Sequence, residues 1–231
     1  MWQGLDAELE QYGITVVTIG IDVEPSKCHP YMDNSGATHP QLVDTAHATV
    51  GALGFINVPM SMWVDADGSI VQPAHYSPVV PGWGERPIPE GLPPRILGRF
   101  EVLKQATDRH QEYLTALRRW ATDGVALDPD AARAASGLRS EDEAMAVACF
   151  ELGNHLRLTV GPEAAVPWWR QAHRLDPNNW AAKRQAWSLV TTAEGEPPDL
   201  MQEDTGPYDG NWLDDVVAVG GIANYYPPTS W

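Results

Sequence analysis

Phe55-Ile56-Asn57-Val58-Pro59-Met60-Ser61-Met62-Trp63-Val64-Asp65-Ala66-Asp67-Gly68-Ser69-Ile70-Val71 decides the fold. A β-rich apolar run enters a proline, continues as a strand and turns into a second strand. Proline has no N–H to give to a ladder, so Pro59 marks the start of a strand rather than its middle. Asp65-Ala66-Asp67-Gly68 suits a type I turn followed by a glycine bulge. It predicts an antiparallel hairpin of strands 58–64 and 69–72. The same turn accounts for Asp65 and Asp67 better than acid–base catalysis does.

Upstream, Leu5, Leu9 and Tyr12 share a helical face that Gly13 ends. Ile14 to Asp22 is β-branched almost throughout and does not alternate, which predicts a strand buried on both faces, as in a parallel sheet. Residues 24–40 read as loop, punctuated by Pro25, Pro30 and Pro40. Gln41-Leu42-Val43-Asp44 reads as a short strand or turn. A helix is expected over 45–53, where Ala46, Val50 and Leu53 share a face and Gly54 follows.

Pro73, Pro78, Pro81, Pro87, Pro89, Pro93 and Pro94 punctuate 73–95 too densely for sustained regular structure. One long helix is then expected over 96–121, and Ser140-Glu141-Asp142-Glu143 is a capping box opening another. Cys149, Leu152, Gly153, Leu156, Ala165, Trp169, Ala172 and Pro177 fall at the spacing of a tetratricopeptide unit, a repeat of about 34 residues. Helices 141–159 and 163–175 would form that unit, with a third from Trp180 to about Thr192 capping it. A single repeat cannot bury its face, so it is expected to pack on the 96–121 helix. Trp168, Trp169, Trp180 and Trp187 read as core. The acidic tail holds Trp212, Tyr225, Tyr226 and Trp231, with a short helical turn at 214–219, and is expected to lie across the body.

From about 1 to 75 the order of elements resembles a thioredoxin-like domain of the membrane-anchored thiol-oxidoreductase and peroxiredoxin-related group. The resemblance rests on the helix end, the Val16-Val17-Thr18-Ile19-Gly20-Ile21-Asp22 strand, the helix at 45–53, Val58-Pro59 and the Val64–Gly68 hairpin. It implies a cis proline at Pro59, and that Val58 and Pro59 present backbone groups to a bound substrate. The family's catalytic cysteines sit at the N-terminus of the first helix, where the dipole stabilises a thiolate. Here that position and its preceding strand are expected upstream of Met1, so either the gene start is misassigned or the domain is a degenerate remnant.

The expected fold class is therefore α/β thioredoxin-like, truncated at its N-terminus, plus an all-α tetratricopeptide-like domain. The boundaries are 1–75 for the first domain, 76–95 for a proline-rich linker, 96–193 for the helical domain with its repeat unit at 146–179, and 194–231 for the tail. The expected function is thiol–disulfide or peroxide oxidoreduction, weak or absent in the chain as it stands. The alternative is a non-catalytic interaction scaffold using the helices.

Cys28 is the candidate catalytic thiol, with Lys27 and His29 placed to lower its pKa. Cys149 reads as core. Cys28, His29, His39, Asp44 and His47 have the residue types of a zinc site but no recognised spacing, so no metal is expected. No cofactor motif is present. A net charge of −16 with only 15 Lys and Arg excludes nucleic acid and an anionic membrane surface as partners. The expected partner is a protein thiol, disulfide or peptide; oligomeric state is not legible. Two distant cysteines and no signal or spanning segment fit a reducing compartment, the cytoplasm.

Overall fold

The first helix, α1 (Trp2–Leu9), runs into a 3-10 turn at Glu10–Tyr12 that Gly13 closes, at φ 75°, by donating its N–H to the Glu10 carbonyl. The computed structural model describes residues 2–82, 86–92, 94–190 and 211–229, and over these the architecture is mixed α/β. The predicted positions Pro93, Trp231 and the tail up to residue 210 lie outside the described residues.

Strand β1 (Thr18–Ile21) pairs in parallel with β2 (Gln41–Asp44), Thr18 opposite Gln41. The strand expected over 14–22 and buried on both faces is thus shorter and more open. Val17 and Ile19 are 49% and 37% exposed, because among the described residues this sheet has only two strands and leaves part of each face uncovered. Between the strands, where a loop was expected, lies α2 (Pro25–Asp33). Pro25 starts it, since a first-turn residue needs no N–H partner, and nine residues tolerate the bond that Pro30 removes. Asp44 then nucleates α3 (Ala48–Leu53), its carboxylate accepting from the N–H groups of Ala46, Ala48 and Thr49. Burial raises its pKa, but the bond from the Thr49 hydroxyl and then those from the backbone N–H groups outweigh burial and hold the pKa below the usual carboxylate range.

The hairpin forms as expected. Strand β3 (Met60–Val64) pairs antiparallel with β4 (Ile70–Tyr76), Gly68 taking φ 88° and Asp67 accepting from the Ser69 N–H. The second strand nevertheless runs past the predicted residue 72, through Pro73 to Tyr76. The register shifts between Ser61 and Trp63, opposite Gln72 and His75, so Pro73 sits at an irregularity where the ladder asks for no donor.

The helix predicted over 96–121 is two helices, α4 (Pro94–Leu103) and α5 (His110–Asp123). The polar stretch between them favours a break, and Asp108 satisfies the His110 N–H there. The second of these packs its buried face on the α/β half rather than in the core of the repeat unit. Tyr113 and Leu117 join Leu5, Leu9, Trp63 and Val79 in one core, with Trp63 stacked on Trp120 at 5.2 Å. Helix α6 (Pro129–Ser136) was not foreseen; Asp128-Pro129, which ends many helices, here supplies the cap and the first residue of a new one.

Helices α7 (Glu141–Thr159), α8 (Pro162–Leu175) and α9 (Trp180–Leu189) follow, the first opened by the Ser140–Glu143 capping box. Cys149, Phe150, Ala165, Trp169, Ala172 and Trp187 build their shared core. Gly153 sets the approach of α7 to α8, because a Cβ there would meet the Trp169 ring at 2.6 Å. Trp169 is fully buried and donates to Asn154 Oδ1 at 3.1 Å, so its ring has nowhere to go. Gly153→Ala should therefore destabilise the protein by about 2 kcal/mol through overpacking, despite alanine's better helix propensity. A urea melt followed by tryptophan fluorescence checks this; an unchanged midpoint would refute it.

The tail contributes α10 (Trp212–Ala218) and α11 (Ile222–Tyr225). Trp212, Val216, Ile222 and Tyr225 pack with Leu103 and Trp180, so the described tail does lie across the body. Polar contacts join the α/β half to the helices. The Gln185 carboxamide oxygen accepts from the Val23 N–H at 3.0 Å and lies 3.2 Å from His47 Nε2, while the Ala181 N–H donates to the Ile56 carbonyl at 2.8 Å. Among the described residues no helix is long and apolar enough to cross a membrane.

Candidate functional site

The Val58–Pro59 peptide is cis. Its neighbours hold it by polar contacts. Asn57 is buried, donates through Nδ2 to the Tyr225 carbonyl at 2.8 Å, and accepts from the Val58 N–H at 2.8 Å. The Pro59 carbonyl accepts from the Ser77 N–H at 3.1 Å. Of the dipeptide's main-chain groups, only the Val58 carbonyl takes no hydrogen bond from a described residue. The Val58 side chain is 43% exposed. The family resemblance implied substrate contacts at Val58 and Pro59; among the described residues the geometry leaves one unpaired acceptor on an exposed apolar residue.

Behind β3 lies a buried polar network. His75 Nδ1 lies 2.8 Å from the Pro73 carbonyl, which only accepts, so that nitrogen carries the proton. Nε2 then accepts from Ser61 Oγ at 3.1 Å, and Ser61 Oγ in turn accepts from the Tyr113 hydroxyl at 3.2 Å. Burial pushes the His75 imidazolium pKa down to about 4 and the Tyr113 phenol up. The serine–histidine pair resembles a nucleophile and base, but Ser61 is bonded to Tyr113 and the Trp63 ring packs edge-on against His75, so the network fixes the hairpin on α5.

Cys28 sits in the first turn of α2, half buried, its sulfur close over Gly20, where a Cβ would lie 2.9 Å from Sγ. The expected lowering of its pKa is reversed. Burial first, and then the Asp22 carboxylate, push the thiol above its ordinary value. Lys27 is turned to Glu24 at 3.0 Å, so it does not serve the sulfur. Cys149 is buried among the helices. Both thiols are free, and among the described residues no hydrogen bond joins Cys28 to Val58 or Pro59.

The zinc-type residues go separate ways. His39 Nε2 lies 3.3 Å from Thr18 Oγ1, His47 packs edge-on against Phe150 and reaches Gln185, and Asp44 caps α3. Among the described residues no three His, Cys, Asp or Glu side chains gather as a metal site.

A cavity of about 510 Å³ lies beside this region, between the segment from Gly54 to Met60, β4, α6 with Leu127 before it, the start of α9 and the described end of the tail. Sequence reading missed it. Its walls come from five separate segments, and no local pattern brings them together.

Compared with protein-family models, with curated proteins and with solved structures, the chain gives no match.

Proposed function

We propose that the chain is a thioredoxin-like binding module, carried on tetratricopeptide-like helices, that holds an extended peptide of a partner protein without catalysing its oxidation or reduction. The observation that carries this reading is the Val58 carbonyl, unpaired among the described residues beside an exposed Val58 side chain. An extended peptide laid along this edge donates one N–H to that carbonyl and covers the valine. Main-chain bonding supplies affinity that tolerates sequence variation, as in strand-addition recognition generally.

Two groups speak against catalysis. A thiol pushed up in pKa presents little thiolate at neutral pH, and thiolate is the attacking species. Any mixed disulfide at Cys28 would also lack a resolving thiol from Cys149, which is sealed in the helical core. The second reading is redox chemistry at Cys28, by attack on a disulfide or peroxide through a mixed disulfide or sulfenate. Its support is the place of Cys28 in the first turn of α2, where a helix dipole favours the thiolate.

Insulin reduction and peroxide consumption, each measured for the 231-residue chain and for Cys28→Ser, decide between the two. Both proteins are expected at background; turnover that disappears in Cys28→Ser overturns the binding reading. Binding itself is measured by fluorescence anisotropy with an alkylated, thiol-free insulin B chain. Val58→Glu should weaken capture several-fold, and equal affinity would refute the assigned edge.

A further inference from the structure

We propose that the 510 Å³ cavity is a binding site for a neutral, aromatic small molecule. Its size lies within the range of roughly 300–1,000 Å³ typical of small-molecule sites. Four aromatic side chains, Tyr76, Trp180, Tyr225 and Tyr226, contribute to the wall. They brace one another. Tyr76 stacks on Tyr226 at 4.3 Å, and Tyr225 meets Tyr226 and Trp180 edge-on at 4.5 and 4.7 Å. Rings held by other rings lose little freedom on binding, so a flat apolar ligand meets a surface already in place.

The charge of the lining sets the ligand class. The chain has 46 charged side chains of Asp, Glu, Lys and Arg, 31 acidic and 15 basic, yet among the described residues none lines this cavity. Of the titratable groups that do, His75, Tyr76 and Tyr226 are uncharged at neutral pH. Burial pushes His75 down, and Tyr76 and Tyr226 up. Asp108 and Arg86 act on Tyr76, and Arg184 on Tyr226, without joining the lining. A charged ligand would give up its hydration here and find no counter-charge, a loss that apolar contact does not offset. The exposed carboxamides of Asn178 and Asn224 supply polar contacts suited to a neutral donor or acceptor. The site adjoins the Val58 edge, since Asn57 and Met60, on either side of the dipeptide, belong to its lining, but Val58 and Pro59 themselves do not.

The test is titration of the isotope-labelled 231-residue protein, followed by amide chemical shifts. The probes are naphthalene-2-carboxamide and indole, with 2-naphthoate as the charged counterpart of the first. Saturable one-site shifts at Ala131, Ala135, Asn178 and Asn224 are expected for the neutral probes, with 2-naphthoate at least tenfold weaker. Ala131→Trp, which fills the cavity from α6, should weaken the neutral probes at least tenfold while the rest of the spectrum stays dispersed. If that variant does not fold, Ala135→Trp on the same wall decides. No saturable shift from either neutral probe, shifts centred elsewhere, equal binding of 2-naphthoate, or undiminished binding in the filled variant would each overturn the proposal.

Discussion

Asp215→Asn is expected to destabilise the protein by about 3 kcal/mol, near the lower end of what breaking a buried ion pair costs. Lys183 Nζ lies 3.2 Å from Asp215 Oδ2, and the lysine side chain is only 5% exposed. The ammonium also sits 4.5 Å from the centre of the Trp180 ring and 5.8 Å from that of Trp187. Burial lowers the Lys183 pKa and raises that of Asp215, more than each charge favours the other. The two shifts agree that the pair pays for its desolvation. Removing the carboxylate strands a buried cation, which the aromatic faces only partly compensate. Because α10 carries Asp215 and α9 carries Lys183, the loss should appear as faster amide exchange in α10. Lys183→Met with Asp215→Leu should return most of the stability, since apolar replacements for a buried pair are often neutral. A urea melt of the single variant within 0.5 kcal/mol of the parent would defeat this account.

Acid should unfold the protein earlier than its surface carboxylates alone require, with His75 as a principal cause. A free histidine has a pKa near 6.5, and burial pushes the folded His75 down to about 4. Between those values the unfolded chain binds a proton that the folded one refuses, so stability falls as pH drops through this window. The full loss at His75 is about 3 kcal/mol, at 1.36 kcal/mol per pH unit. His47 and His173, both lowered by burial, add slope of the same sign. Asp176 and Asp215, raised by burial, oppose it at pH values above their unfolded pKa. Urea melts at pH 7 and pH 4.5 should show the loss. In His75→Gln the slope of stability against pH should flatten by up to one proton's worth. An identical slope in parent and variant would remove His75 from the explanation.

The dependence on His75 also explains why part of the site was hidden in the sequence. Ser61, His75 and Tyr113 carry no shared motif, and Tyr113 comes from α5, a helix assigned by periodicity to the other half of the protein. Cys28 was legible as a residue, but its environment was not. Lys27 and His29 are adjacent in sequence, yet on a helix adjacent residues point apart. Asp22 and the contact with Gly20 set the thiol instead.

What the sequence determined by itself is what short-range stereochemistry decides. The Gly13 stop, the Asp65–Gly68 hairpin and the Ser140 capping box were all readable, because glycine and capping side chains act on their immediate backbone. Only the tertiary structure decided which faces stay open, where α5 docks, which way the Cys28 pKa moves and that five separate segments line a cavity with no charged side chain among the described residues. Those outcomes depend on burial, and burial depends on which surfaces meet, a property that no window of sequence contains.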